Sequence, residues 1–295
     1  MILDGMSGRV EKNYPLHKLT TWRIGGPGEC VYWPETWPDA VTAYQRAQQH
    51  GVPVRVFGRG SNLLLPDEGL PGLTVVTTAL RSIAWGDCSV QVAAGYSLAS
   101  LAQESGERGW SGLEFACGIP GTVGGALVMN AGAHGGEIGT CVRAVLVMEP
   151  DGSVRLLEHS EISFSYRSSS LRHGCWVLEA KLAFAAGDKE EIAVRIRENL
   201  AARRAKQPLE WPNAGSVFRN PPGDSAGRLI AEAGWKGRAV GGARVSEKHA
   251  NFIINTGRAT AEDVLTLMQE IQRDVAGKFG VHLEPEVEIV GRPGA

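Results

Sequence analysis

A serine set between a glycine and an apolar pair, Ser216 in "NAGSVFRNP" (residues 213–221), is the first residue of this chain whose setting suits chemistry. The segment resembles a strand entered from a tight turn, which leaves the hydroxyl on a surface cleared by glycine. A buried serine ordinarily just hydrogen-bonds backbone. No Gly-x-Ser-x-Gly elbow is present, and no evident aspartate and histidine complete a hydrolase triad. The chemistry left open to Ser216 is proton donation, which needs no triad. Arg167 follows Tyr166 and precedes three serines in "FSYRSSSLRHG"; this is either a polar loop or a guanidinium fork for a carboxylate. Glu284, Glu286 and Glu288 alternate in "EPEVEIVG", and on a strand they would share one face. Such a row is either a solvated edge or, where one carboxyl turns into a cleft, a desolvated acid able to hold a proton or stabilise a developing charge. Arg203, Arg204 and Lys206 close a helix in "NLAARRAKQP". The helix dipole accounts for them, and Lys206 is also placed to reach an anionic substrate.

Glycine is the second chemical signal. The chain has 38 glycines in 295 residues, nearly twice the usual share of about 7%. Seven fall within "GIPGTVGGALVMNAGAHGGE" (residues 118–137), and two more bracket Arg59 in "GRGSN" (58–62). Bare backbone can turn several amides toward phosphate oxygens without a Cβ in the way. Alone, either segment reads as a tight turn; together they point to a nucleotide. Neither is a Walker loop, and neither is a Gly-x-Gly-x-x-Gly that opens a helix with an acid about 20 residues on. A dinucleotide-like site outside the Rossmann type is the reading that remains.

The elements that must position these residues alternate along the chain. "TWPDAVTAYQRAQQHG" predicts a helix with Thr36 as N-cap, Pro38 in the first turn and Gly51 as its stop. "VPVRVFG" and "LTVVTT" flank "GRGSN" as short strands. "SVQVAAG", the helix "SLASLAQESGERG", the glycine stretch and the hairpin "RAVLVMEPDGSVRLLE" follow. "CWVLEAKLAFAAG" is one more strand before a charged helix from about Asp188 to Ala205. Composition changes abruptly in "KQPLEWPNAG", where a domain boundary is expected. Beyond it come the strand "ANFIINTG", the helix "TAEDVLTLMQEIQRDVAGKFG" with Thr260 and Asp263 as a capping box, and a closing strand "HLEPEVEIVG".

Composition bounds the class. Hydrophobic residues make up 43% of the chain and the formal net charge is −2, an ordinary soluble balance that favours neither nucleic acid nor an anionic membrane. Cysteines 30, 88, 117, 141 and 175 show no Cys-x-x-Cys pair and no histidines at zinc-ligand spacing. Reduced thiols in a cytoplasm, and no metal, are the expectation. No signal-peptide apolar region and no bilayer-length apolar run is present.

Seven segments together carry a family resemblance: "TTWRIGG", "VFGRGSNLLL", "GIPGTVGGALVMNAGAHGGE", "FSYRSSSL", "AGSVFRNP", "VSEKHANFIIN" and "LEPEVEIVG". In order and spacing, from about Tyr14 to Gly291, the chain resembles the UDP-N-acetylenolpyruvoylglucosamine reductases. The resemblance implies an α+β or α/β flavoenzyme of peptidoglycan synthesis, cytoplasmic and monomeric. Its expected parts are a two-part FAD-binding module of the vanillyl-alcohol-oxidase type (residues 1–75 and 76–206) and a substrate-binding α/β domain (207–295). It further implies non-covalent FAD, NADPH as reductant and a UDP-sugar enolpyruvyl ether as substrate, with no protein partner. By motif, Arg167, Ser216 and Glu286 are the implied catalytic residues. The implied FAD contacts are Arg23, Ile24 and Gly25, then Gly58, Arg59, Gly60, Ser61 and Asn62. In the glycine stretch they are Gly118, Ile119, Pro120, Gly121, Thr122, Gly124, Gly125, Ala126, Asn130, Ala131 and Gly132. Tyr166, Arg167, Lys206 and Asn220 are the implied substrate contacts. With no obvious insertion between "FSYRSSSL" and "CWVLEAKLAF", the chain is similar to the family's shorter type, which lacks an extra tyrosine-bearing loop. Two other readings stay open: a flavin oxidase or dehydrogenase of the same fold acting on an alcohol or hydroxy acid, and a non-enzymatic nucleotide-binding module.

Overall fold

Thr36 accepts the Asp39 amide at 3.3 Å and opens α1, Trp37–Gln49, with Pro38 inside the first turn. The computed structural model in which this is seen describes residues 2–291. The chain divides into two compact units, one of Met1–Lys12, Cys30–Arg59 and Gly72–Arg203, the other of Asn13–Glu29, Gly60–Pro71 and Arg204–Ala295.

In the first unit α1 buries Ala40, Val41, Ala43, Tyr44 and Ala47, the i, i+3, i+4, i+7 spacing that puts one stripe of a helix against a core. That stripe meets Tyr32, Leu73, Val75, Met148 and Trp176, with the Tyr44 and Trp176 rings edge to face at 5.0 Å. Val54–Phe57 pairs parallel with Leu70–Val76, as a β-α-β reading requires. A five-stranded sheet follows in the order Val154–Glu158, Val142–Met148, Trp176–Ala183, Ser89–Ala93, Ile83–Trp85. It is antiparallel throughout. α2, Leu98–Glu107, is capped by Ser97 and lays Leu98, Leu101 and Ala102 on that sheet's core.

The glycine stretch is not loop throughout. Residues Val123–Val128 form a short helix, α3, with Thr122 as N-cap. Two glycines in the sequence hid it, since glycine costs about 1 kcal/mol in a helix relative to alanine. Gly124 is there for packing: a Cβ on it would lie 2.9 Å from the Ala94 Cβ. Val123 and Leu127 of the same helix are fully buried. The charged helix α4 spans Lys189–Lys206.

The second unit packs α5, Ala226–Glu232, and α6, Ala261–Phe279, around the strands Ala239–Val240, Ala243–Val245 and Ile253–Asn255. The C-terminal segment alone does not complete this core. Trp22, Ile24 and Leu64 join it from early in the chain, and the Trp22 indole N–H donates to the Ile253 carbonyl at 2.8 Å. Asp67, also from an early segment, accepts the Ala261 and Glu262 amides at the start of α6. Thr260 takes the Asp263 amide at 3.1 Å while Asp263 takes the Thr260 amide at 3.1 Å, the predicted capping box. Replacing Thr260 with alanine is expected to lower the unfolding free energy by about 1 kcal/mol, read as a shifted urea midpoint with unchanged slope.

Two strand expectations are corrected. "HLEPEVEIVG" contributes only Glu288–Ile289 as a strand, parallel to Leu63–Leu64, and "NAGSVFRNP" contributes one isolated bridge, Phe218 to Pro285. Proline at 285 has no amide for a ladder. The glutamates of this tail are therefore not a row on one strand face: Glu284 and Glu288 are exposed, and Glu286 is half-buried.

Candidate active site

In the second unit, Ser216 and Glu286 are tied through one intervening peptide. Asn213 accepts the Gly215 amide at 2.9 Å, an Asx turn that sets the entry to Ser216. The next residue, Val217, donates its amide to the Asn251 carbonyl and accepts the Glu286 amide, both at 2.8 Å. Asn62 then holds the far side of Glu286, its side-chain amide donating to the Glu286 carbonyl at 3.0 Å, while the Asn62 carbonyl accepts the Glu288 amide at 2.9 Å. Asn62, implied as an FAD contact, thus also supports the main chain of the implied catalytic acid. The half-buried Ser216 hydroxyl makes no hydrogen bond among the described residues. It keeps its proton available.

In the first unit, Arg167 occupies the tip of a two-residue hairpin between Phe164–Ser165 and Ser168–Ser169. Its φ of +57° is uncommon for a residue with a side chain. Backbone in that region carries about 1–3 kcal/mol of strain and persists where surrounding bonds hold it, which is typical of functional sites. The holding bonds run to the glycine stretch. Asn130 donates to the Ser165 carbonyl at 2.9 Å and accepts the Gly139 amide at 3.1 Å. Ser169 donates to the Val128 carbonyl at 3.0 Å, and Arg167 Nη1 to the Gly132 carbonyl at 2.8 Å. Tyr166 is exposed, with the Arg167 guanidinium 5.3 Å from its ring. Gly132 therefore supports Arg167 directly, and Asn130 supports it through the strand before the hairpin tip.

The glycine turns fit a dinucleotide. Gly58 faces Thr122 so closely that a Cβ on Gly58 would collide with the Thr122 hydroxyl and methyl groups. Around that contact, the amides of Gly58, Arg59, Gly121 and Thr122 donate to no protein acceptor among the described residues. Gly60, Ser61 and Gly118 have the same property. Within α3 the amides are already spent: Val123 on the Tyr96 carbonyl, Gly124 on the Ala94 carbonyl, Gly125 and Ala126 on Thr122. The receptive backbone lies in the bends before α3. Ile119 and Ala131 also donate within the chain, and Pro120 has no amide to offer.

Arg23 is exposed with φ +57°, between the fully buried Trp22 and Ile24. Ile24 therefore offers a cofactor only its main chain, and Gly25 follows at φ +137°. Sequence reasoning missed Thr21, whose buried hydroxyl oxygen has no hydrogen-bond partner and whose amide donates to the Gly60 carbonyl at 3.3 Å. It also missed Arg203, which lies with its Cδ against Gly118. Burial lowers the Arg203 pKa, so the fold withholds water from a cation beside the glycine stretch. Helix-end charge complementarity does not explain that placement.

Lys206 is exposed at the end of α4, and Asn220 is exposed with its side-chain oxygen accepting the Ala226 amide at 3.0 Å. His249, in "VSEKHANFIIN", has its pKa lowered by burial first, then by the positive charges of Lys236 and Lys206. That gathering of basic groups had no periodicity to betray it. Burial pushes the Cys117 thiol up to about 11, with Glu114 adding to the shift, and Cys141 is raised chiefly by burial too. Both remain thiols near neutral pH, unsuited to nucleophilic attack.

Residues 28–158 match the family described as FAD binding domain, and residues 207–290 match UDP-N-acetylenolpyruvoylglucosamine reductase, C-terminal domain. Fold and site thus define a mixed α/β flavoprotein with a C-terminal reductase domain. The chain is 46% identical over 287 residues to the UDP-N-acetylenolpyruvoylglucosamine reductase of Moorella thermoacetica, across 97% of this chain and 95% of the relative. It is 47% identical over 286 residues to UDP-N-acetylenolpyruvoylglucosamine reductase 2 of Symbiobacterium thermophilum, across 96% and 93%. The crystal structure of the reductase (MurB) from Thermus caldophilus superposes with a TM-score of 0.82 at 38% identity, covering 96% of this chain and 99% of that one. The chain belongs to the UDP-N-acetylenolpyruvoylglucosamine reductase family.

Proposed function

We propose that the protein reduces the enolpyruvyl double bond of UDP-N-acetyl-3-O-(1-carboxyvinyl)-glucosamine to UDP-N-acetylmuramate, using NADPH and non-covalent FAD, in peptidoglycan precursor synthesis. Ser216 carries the reading: a hydroxyl engaged by no group among the described residues, fixed through one peptide to Glu286, within the segment that matches the reductase C-terminal domain. Residues 1–75 and 76–206 serve FAD and residues 207–295 the substrate. We place this activity in the cytoplasm, in a monomer; no helix among the described residues is long and apolar enough to cross a membrane.

FAD, when bound, would supply hydride chemistry between NADPH and the terminal enolpyruvyl carbon. In the first unit, the amides of Gly58, Arg59, Gly121 and Thr122 are the groups suited to hold it. Negative charge then develops on the carbon beside the substrate carboxylate and spreads into that carboxylate. Arg167 pairs with the carboxylate as a permanently charged fork, and a protonated Glu286 donates a hydrogen bond to the same group. Ser216 gives its proton to the carbon that carries the charge, which completes addition of hydride plus proton. Lys206 and Lys236, whose positive charges both bear on His249, are suited to the substrate diphosphate.

Anaerobic mixing of the NADPH-reduced enzyme with the enolpyruvyl substrate is the test. Reoxidation of the flavin with one equivalent of saturated product is expected; a flavin that stays reduced, or a chain that takes up no FAD, rejects the reading. Arg203 is expected to support FAD itself: Arg203→Gln should weaken FAD binding to apoprotein by about 10- to 100-fold, measured by fluorescence titration. An unchanged dissociation constant removes Arg203 from the cofactor site.

A further inference from the structure

We propose that Asn251 is a positioning residue for Ser216 and Glu286, an inference that rests on the reductase reading above. Asn251 is 3% exposed and stands among apolar neighbours that include Val217, Phe218 and Ala250. Its side-chain oxygen accepts the Phe218 amide at 2.9 Å, and its side-chain nitrogen donates to the Phe218 carbonyl at 2.8 Å. Its own carbonyl accepts the Val217 amide at 2.8 Å. The orientation of the amide follows from these partners, because only one choice matches donor to acceptor at both ends.

A carboxamide carries the same donor and acceptor as a peptide group. Here it takes the place of a strand partner along residues 217–218, where the isolated Phe218 to Pro285 bridge is the only regular pairing among the described residues. The side-chain oxygen holds the Val217–Phe218 peptide, one beyond the peptide that follows Ser216, which the Asn251 main-chain carbonyl holds. The Val217 carbonyl in turn accepts the Glu286 amide at 2.8 Å and the Val287 amide at 3.4 Å, so the Glu286 segment hangs from the same clamped strip. Asn251 is itself anchored, its amide reaching His249 Nδ1 at 3.3 Å, while the Phe252 amide donates to the His249 carbonyl at 3.0 Å.

Packing alone does not call for asparagine at this place. An aliphatic side chain of similar size would fill the space but would leave the buried Phe218 amide and carbonyl without their partner. What the carboxamide adds is geometry: it fixes the Val217–Phe218 peptide, whose carbonyl, on the residue after Ser216, accepts the Glu286 amide. Misplacing a reacting group by about 1 Å can cost about 100-fold in rate.

The test uses the FAD-loaded enzyme and its Asn251→Leu variant. Flavin reduction by NADPH is expected to stay within about 2-fold. Flavin reoxidation by the enolpyruvyl substrate should slow by about 10- to 100-fold, with a larger solvent deuterium isotope effect and little change in substrate KM. In the protein without substrate, the Phe218 and Glu286 amides should exchange hydrogen at least about 10-fold faster, while protection in α6 is kept. Asn251→Asp, isosteric, keeps the acceptor for the Phe218 amide but turns a carboxylate oxygen on the Phe218 carbonyl, so the same slowing is expected, read only where thermal melting shows a folded variant. Unchanged exchange at Phe218, or wild-type reoxidation in either folded variant, overturns the proposal. Wild-type enzyme that the substrate does not reoxidise overturns the reductase reading instead, and the exchange result then still reports on the clamp.

Discussion

Ser216→Ala is expected to slow flavin reoxidation by the enolpyruvyl substrate by about 10²- to 10⁴-fold, the usual contribution of a general acid. Flavin reduction by NADPH should be nearly unaffected, because hydride transfer into the flavin consumes no proton from this hydroxyl. The structure makes the comparison clean. The Ser216 hydroxyl bonds to no other group among the described residues, so its removal strands no buried partner, and the main chain around it is held by Asn213, Asn251 and Glu286 rather than by the serine side chain. Stopped-flow absorbance resolves the two half-reactions. Equal slowing of both would falsify the proton-donor assignment.

Arg167→Lys should show the second large effect, a loss of about 10²- to 10³-fold in the rate of substrate reduction, the scale of removing one electrostatic donor from a developing oxyanion. Lysine keeps the charge, so a distant electrostatic role would survive the change. It cannot present two parallel N–H groups to a carboxylate. Nor can it reproduce the guanidinium contact in which Nη1 donates to the Gly132 carbonyl. Because the hairpin carrying residue 167 is also held by Asn130 and Ser169, the variant should melt within a few degrees of wild type. A folded lysine variant with wild-type single-turnover rates would remove Arg167 from the chemistry and leave it a structural role at the hairpin tip.

Much of the local structure was legible. Thr36 with Pro38, and Thr260 with Asp263, marked two helix starts because capping is settled within four residues. The Pro-Asp-Gly turn marked its hairpin for the same reason. α3 was illegible because its two glycines signal loop, and only the contact of Gly124 with Ala94 explains them. The closing segment misled in the opposite direction. "EPEVEIVG" alternates as a strand should, yet most of it pairs singly with Val217 and Asn62 instead of entering a sheet.

The residues that carry the proposed chemistry were nameable from sequence because their immediate neighbours are distinctive: serine after glycine, arginine ahead of a run of serines, glutamates flanking proline. Turn and cap preferences act over a few residues, so the sequence alone also determined most helix starts, the glycine turns and the change of composition near residue 207. Tertiary structure decided which side chains serve the site by holding others. Asn62 reaches Glu286 across 224 positions and Trp22 reaches Ile253 across 231. Asn251 clamps Phe218 from 33 positions away, and Arg203 loses its water beside Gly118. No local propensity encodes such pairs. The pairs of the second unit exist because burying Trp22, Ile24, Leu64 and Phe218 in one core brings their polar neighbours together, and each polar group buried there must then find a partner.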